Sequence, residues 1–250
     1  MSKYKKYDKR ILELHELGYR NRDISKELSL DSRRVSDRLK VHGLKGNTER
    51  AFELTDREMS IMVGSAMGDG SLFRSTNGSN YRFGLAHSLK QKEYFLFKYH
   101  ELERIVRSEW KVNHVFDKRT EKTYSEIRLQ SRVNPVFNQL HKEWYGECGE
   151  KEIKRRNIDK ITPLALAVKY FDDGFFVRGG GAIAMSSFSE DSVGNLRTAM
   201  LNMGIETTVW TDKTIYIPKN QFIKFKELIQ PYATTDVLYK LGEFRETPNT

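Results

Sequence analysis

A single cysteine, Cys148, stands in 250 residues, so no internal disulfide can form, and no Cys/His grouping has the spacing of a zinc site. No apolar run approaches the ~20 residues that a membrane-spanning helix needs. Residues 1–6 lead into an amphipathic pattern rather than the apolar stretch of a signal peptide. These absences speak against a disulfide scaffold, a zinc module and a membrane protein, and they fit a soluble chain of the cytoplasm. What the chain has is positive charge. Lys and Arg outnumber Asp and Glu 43 to 34, and +6 of the formal +9 falls in the first 50 residues, with fourteen basic against eight acidic side chains. A basic field concentrated at one end points to a polyanionic partner, with a merely basic surface as the plain alternative.

Ile11, Leu12, Leu14 and Leu17 recur at helical spacing and Gly18 ends the pattern. A second helix is expected from about Asn21 to Leu28, with Ile24 and Leu28 on one face. Ser29-Leu30 then turns the chain, and Asp31 is a natural N-cap for a third helix carrying Val35 and Leu39. Opposite Val35 and Leu39 lie Arg33, Asp37 and Lys40, flanked by Arg34 and Ser36. Residues 7–44 resemble helix-turn-helix DNA-binding modules, although Ser25 and Ser29 stand where such modules prefer Ala and Gly. The resemblance implies that Arg33, Arg34, Ser36 and Lys40 contact DNA. The alternative is a three-helix cap with a solvated charged face. Domain boundaries are placed at 1–46 for this module, 47–54 for a linker, and 55–158 and 159–250 for two halves of the remaining chain.

Thr55-Asp56-Arg57-Glu58 is a capping-box pattern that opens a helix ending at Gly68-Asp69-Gly70. Residues 161–174 present the same kind of segment 104 residues later. Thr162 serves as N-cap, Pro163 as first helical residue, and Asp172-Asp173-Gly174 closes it. Gly70 and Gly174 are both expected in the left-handed conformation that ends a helix. Each helix is followed by hairpin, helix, hairpin and helix signals, which reads as an internal duplication. The run Arg178-Gly179-Gly180-Gly181 fits either a hairpin tip or a loop that hugs phosphates.

Gly64 and Gly68, four apart, share one helical face and let a second helix approach closely. If the two helices run parallel, their C-termini converge and bring Asp69 and Asp173 together beside carbonyls at the negative ends of both helix dipoles. An acid there breaks the local preference for cations. Two such violations at one point make a place for a divalent metal. In the second helix Val168 and Asp172 replace Gly64 and Gly68, so the interface must be asymmetric.

The segments Val63 to Gly70 and Leu166 to Gly174 resemble the two signature helices of LAGLIDADG homing endonucleases, and residues 86–95 and 237–241 resemble other recurrent segments of that family. The resemblance, over about residues 55–245, implies an α+β fold of two αββαββα halves forming a saddle over the DNA major groove. It implies Mg²⁺ held by Asp69 and Asp173, with Gly68 and Asp172 as the neighbouring metal candidates. Lys151 and Lys240 match the family's basic residues near the metal, with Lys154 a competitor for the first of these. Arg82, His87 and Arg178 are the further DNA-contact candidates. Two motifs in one chain imply a monomer acting on a long, non-palindromic double-stranded target. Two rival readings are a maturase that binds intron RNA and a transcription regulator with a decayed nuclease domain.

Overall fold

The computed structural model describes residues 5–47, 51–74 and 80–243. Three helices come first: α1 (Asp8–Glu16), α2 (Asn21–Leu28) and α3 (Ser32–Val41). There follow α4 (Asp56–Met67), β1 (Ser71–Phe73), β2 (Arg82–Ser88), α5 (Lys92–Leu102), β3 (Lys111–Asp117), β4 (Lys122–Gln130) and α6 (Val136–Trp144). The same order returns as α7 (Pro163–Asp173), β5 (Gly174–Val177), β6 (Gly180–Ile183), α8 (Glu190–Asn202), β7 (Thr208–Val209), β8 (Ile215–Ile217) and α9 (Lys219–Ile229). Each αββαββα run builds one four-stranded sheet, in the orders β1-β2-β4-β3 and β5-β6-β8-β7, so the second repeats the first with every number raised by four. The pairings that join β2 to β4, β3 to β4, β6 to β8 and β7 to β8 are antiparallel. Among the described residues no helix is long and apolar enough to cross a membrane.

The chain divides into two compact units. One comprises residues 1–53, 72–83 and 132–142; the other comprises 54–71, 84–131 and 143–250.

In the first unit α1, α2 and α3 close over Ile11, Leu14, Ile24, Val35 and Leu39, with Tyr7, Leu12, Tyr19, Leu28 and Leu30 packed around them. Burying each such aliphatic side chain is worth about 1.5–3 kcal/mol, which is what holds three short helices together. The Asp31 side chain accepts from the Arg33 N–H at 2.7 Å and caps α3. Ser29, where a glycine is usual, takes the left-handed conformation with φ 50°. Within the expected 47–54 linker, Asn47 Nδ2 donates to the carbonyls of His15 and Tyr19, and the Ala51 N–H donates to the Gly18 carbonyl. Those ends of the linker are pinned; residues 48–50 lie outside the described residues, as do 75–79 and 244–250 of the two halves.

The second unit is organised on α4 and α7. Thr55 and Glu58 complete the capping box on α4, and Thr162 accepts from the Ala165 N–H to cap α7, with Pro163 in its first turn. Every α7 residue from Leu164 to Phe171 is buried, as are Ser60 to Met67 of α4, so this pair forms the centre of the unit. The glycine expectation is corrected: Gly174 has φ −87° and neither it nor Gly70 is among the glycines with positive φ. Gly174 is needed instead for space, because a Cβ there would collide with the Tyr170 ring and carbonyl. Arg178 (φ 53°) and Gly179 (φ 75°) form the two-residue turn between β5 and β6, the geometry of a hairpin tip.

Candidate active site

Three cross-helix approaches fix the direction of α4 against α7. Thr162 Oγ1 donates to Ser60 Oγ at 2.9 Å near the N-terminal ends. A Cβ on Gly64 would stand 2.5 Å from Val168 Cβ and from the Ala165 carbonyl oxygen at mid-helix. A Cβ on Gly68 would stand 2.6 Å from Asp172 Cβ at the far end. The helices therefore run parallel at a separation that only glycine permits on the α4 side. Their acidic ends meet.

At that end the Asp69 N–H donates to Asp172 Oδ2 at 2.9 Å. The Asp172 side chain is fully buried and engaged on its other oxygen: Lys98 Nζ donates to Oδ1 at 2.6 Å and the Tyr94 hydroxyl donates to it at 2.9 Å. Burial by itself would raise the Asp172 carboxyl, yet the Lys98 charge and hydrogen bond outweigh it and hold the group below its usual value. His87 is 4% exposed, with Nε2 3.1 Å from Lys98 Nζ and Nδ1 3.5 Å from Asp69 Oδ2. Burial and then the Lys98 charge push the imidazole down to about 3, so it is neutral at ordinary pH. Asp69 is pushed the other way, up to about 6, by burial and by the Asp172 carboxylate. Its side chain nonetheless keeps 41% of its surface open to solvent.

Asp173 lies on the same end of α7, with Oδ2 accepting from Lys169 Nζ at 2.7 Å and 32% of its side chain exposed. Lys151 Nζ donates to the Gly68 carbonyl. Lys240 Nζ donates to the carbonyls of Phe171 and Asp172 at 2.7 and 2.9 Å. Lysines thus close the last carbonyls of both helices, Lys151 and Lys169 on α4 and Lys240 on α7, a favourable place for a cation. Burial first, opposed by the nearby acids, leaves the Lys151 and Lys240 ammonium groups easier to deprotonate than a free lysine.

The metal candidates Asp69, Asp172, Asp173 and Gly68, together with Lys151 and Lys240, all belong to this one cluster. Asp69, His87 and Asp172 each offer one ligand atom, and these lie within 4.8 Å of one another. Two acids at two helix ends, one of them raised by the other's charge, form a donor set that a hard divalent cation would relieve. Asp172 is already matched by Lys98, and the Gly68 carbonyl by Lys151. Asp173 is matched in the same way by Lys169 but keeps 32% of its side chain exposed, whereas among the described residues the ion contact of Asp69 is the His87 ring. His87, expected to touch DNA, is corrected: it is buried against Lys98 and Tyr94, because β2 turns that side chain inward. Lys154, the competitor of Lys151, donates to the Tyr145 carbonyl instead.

The remaining candidates lie elsewhere. Arg33, Arg34 and Lys40 are exposed on α3 and Ser36 is half-buried there. The Arg82 guanidinium stands 6.0 Å from the centre of the Phe73 ring. Arg178 stands 5.8 Å from the centre of the Trp210 ring.

Sequence reasoning missed Lys98, Lys169 and Tyr94. The signal was present as a charge on a buried stripe: Lys98 shares the face of Tyr94, Phe95, Tyr99 and Leu102 in α5, and Lys169 interrupts the buried run from Leu164 to Phe171 in α7.

A paired set of αββαββα halves with acids at the shared ends of two central helices is the architecture of a LAGLIDADG fold. The sequence profile described as the LAGLIDADG DNA endonuclease family matches residues 59–225, and the chain belongs to that family. Among relatives, it is 29% identical over 208 residues to Protein RecA of Mycobacterium shimoidei, covering 75% of this chain and 47% of that one. The chain therefore spans about half the length of the RecA relatives it matches. It is 26% identical over 218 residues to DNA endonuclease I-ChuI of Chlamydomonas applanata, covering 77% of this chain and 97% of that one. Cytochrome b mRNA maturase bI2 of Debaryomyces hansenii is 28% identical over 204 residues, with 76% and 75% covered. In three dimensions the homing endonuclease I-WcaI, solved bound to its DNA recognition sequence, shares the fold with a TM-score of 0.68 at 18% identity, covering 76% of this chain and 88% of that one.

Proposed function

We propose that this chain is a site-specific DNA endonuclease of the two-motif, single-chain type. It makes a metal-dependent double-strand break in a long, non-palindromic target, acting as a monomer. The observation that carries the reading is the convergence of Asp69 and Asp173 at the shared ends of α4 and α7, inside a basic chain of the LAGLIDADG DNA endonuclease family.

Asp69 and Asp173 would hold Mg²⁺, whose chemistry when bound is to acidify water for attack on a phosphodiester and to stabilise the leaving oxygen. The chain's own residues prepare the place. Asp172 fixes the Asp69 backbone through its N–H, Lys98 and Tyr94 fix Asp172, and His87 stays neutral against Asp69. Lys151 and Lys240 hold the helix ends and add positive charge where phosphate must arrive. Arg82 and Arg178 serve as phosphate contacts away from the acids. The α1–α3 module reads additional DNA as a helix-turn-helix, with Arg33, Arg34, Ser36 and Lys40 presented by α3.

The relative named as an mRNA maturase favours a second reading, in which intron RNA is the partner. Incubating the protein with duplex libraries of candidate insertion sites, with and without Mg²⁺, separates the two. Linear products that need the metal support the nuclease. Tight binding of intron RNA with no cleavage of any duplex would replace it with the maturase.

A further inference from the structure

Lys169 is a fully buried ammonium inside the helix pair. The 104-residue offset that relates Asp69 to Asp173 places Ser65 at the equivalent position of α4. Ser65 is buried too, and its Oγ finds no hydrogen-bond partner among the described residues. Lys169 Nζ instead donates to Asp173 Oδ2 at 2.7 Å and crosses to the Met67 carbonyl of α4 at 2.9 Å. The Ala184 carbonyl lies 3.5 Å away and the centre of the Phe188 ring 4.8 Å away. The ammonium is thus saturated and has no room to withdraw. Asp69 has no such neighbour: among the described residues its ion contact is the His87 ring at 3.5 Å. The other buried ammonium groups at this end reach Asp69 only through space: Lys98 is paired with Asp172, and Lys240 donates to the carbonyls of Phe171 and Asp172.

We propose that Lys169 is a positioning residue that holds Asp173 as an internally neutralised acid, so that the two halves take up divalent cation, and cut their strands, unequally, with the Asp69 half leading. An arriving cation must share the Asp173 carboxylate with an ammonium that cannot retreat, and like charges at that range repel strongly away from bulk water. Asp69 offers its carboxylate without that competitor. Because Lys169 also grips the α4 carbonyl, it fixes the Asp173 helix end against its partner, and the asymmetry is built into the resting fold.

The inference rests on the cleavage reading above, and its test has an arm that needs no cleavage. Mn²⁺ alone is titrated calorimetrically into the full-length chain. One strong site is expected, lost in Asp69→Asn and kept in Asp173→Asn, with a second appearing in Lys169→Met. Separately end-labelled strands of a cleavable duplex are then followed in time. The parent should cut one strand roughly tenfold faster than the other, and Lys169→Met should narrow that ratio. Lys169→Gln keeps a donor for Met67 without the charge, and it also covers the case in which the Met variant does not fold. Two equal Mn²⁺ sites in the parent, no Mn²⁺ bound by any form, or a Gln variant indistinguishable from the parent in both measurements would overturn the proposal. If no duplex is cut by the parent, the nuclease reading fails on its own and the Mn²⁺ titration still decides the role of Lys169.

Discussion

Lys98 and Asp172 form an ion pair of 2.6 Å in which neither side chain has any exposed surface. The lysine comes from α5 of the first half and the acid from α7 of the second. Through Asp172 the pair also fixes the Asp69 N–H, so the turn after α4 is held by a charge pair that spans both repeats. Such a pair is costly to break from one side, because the partner left behind is a buried, unmatched charge.

Lys98→Met should therefore destabilise the fold by about 3–5 kcal/mol, and adding Asp172→Asn should recover most of the loss. Denaturant unfolding of the two single variants and the double variant measures this. A loss under about 1 kcal/mol for the single Lys98 change would mean that water reaches the pair.

Acid stability separates His87 from Asp69. His87, held near 3 in the fold against 6.5 when free, contributes stability that is complete above pH 6.5 and drains away toward pH 3, at about 1.4 kcal/mol per unit. Asp69, raised from 3.8 to about 6, acts with the opposite sign: its native form binds the proton more readily, so stability rises as pH falls from 6 to 3.8. Solvent exposure weakens this second effect. In metal-free buffer, His87→Gln should become relatively more stable on acidification from pH 6 to 4.5, and Asp69→Asn relatively less. Unfolding midpoints at those two values check both directions, and parallel curves for the two variants would contradict the assignment.

Two glycines make opposite predictions for the same substitution. Gly64→Ala pushes a methyl onto the Ala165 backbone oxygen and Val168 and should cost about 1–3 kcal/mol. Gly194→Ala, inside α8 with nothing within 4 Å of the new methyl, should gain about 0.5–1 kcal/mol from helix propensity and a less free unfolded chain. Thermal melts of the pair give the contrast directly. Removing Val168 bulk in the Gly64→Ala background should rescue only part of the loss, since the Ala165 carbonyl remains.

For the catalytic acids, Asp69→Asn and Asp173→Asn should each abolish Mg²⁺-dependent cutting of one or both strands while leaving target binding in Ca²⁺ within a few-fold of the parent. Asp172→Asn should act differently, through loss of the Lys98 pair and of stability. Gel shifts and cleavage assays on the three variants distinguish them, and full activity in Asp173→Asn would remove that residue from the site.

The α3 face is tested by charge. Arg33→Ala with Lys40→Ala should weaken DNA binding at all sequences and lower the slope of log affinity against log salt by about 0.9 for each phosphate no longer neutralised. An unchanged slope would leave the module as a structural cap.

The sequence by itself determined the order of elements, because helix and strand signals are local. Asp31, Thr55 with Glu58, and Thr162 with Pro163 each mark a helix start through bonds within a few residues. The 104-residue repeat of an Asp-Gly helix end marked the duplication. The two glycines of α4 announced a close helix approach before any partner was known. Tertiary structure alone decided what happens across that approach. Spacing ranks Asp172 and Asp173 as adjacent alternatives, but the turn of the helix sends one inward to Lys98 and Asp69 and leaves the other beside Lys169 with part of its surface open. His87 reads as a polar residue at the end of a strand until β2 is seen to aim it at α5. Lys98 and Lys169 look like misplaced charges on apolar stripes. Their meaning lies in carboxylates and carbonyls contributed by residues up to 102 positions away, and no local periodicity records which buried charge a fold will match with which.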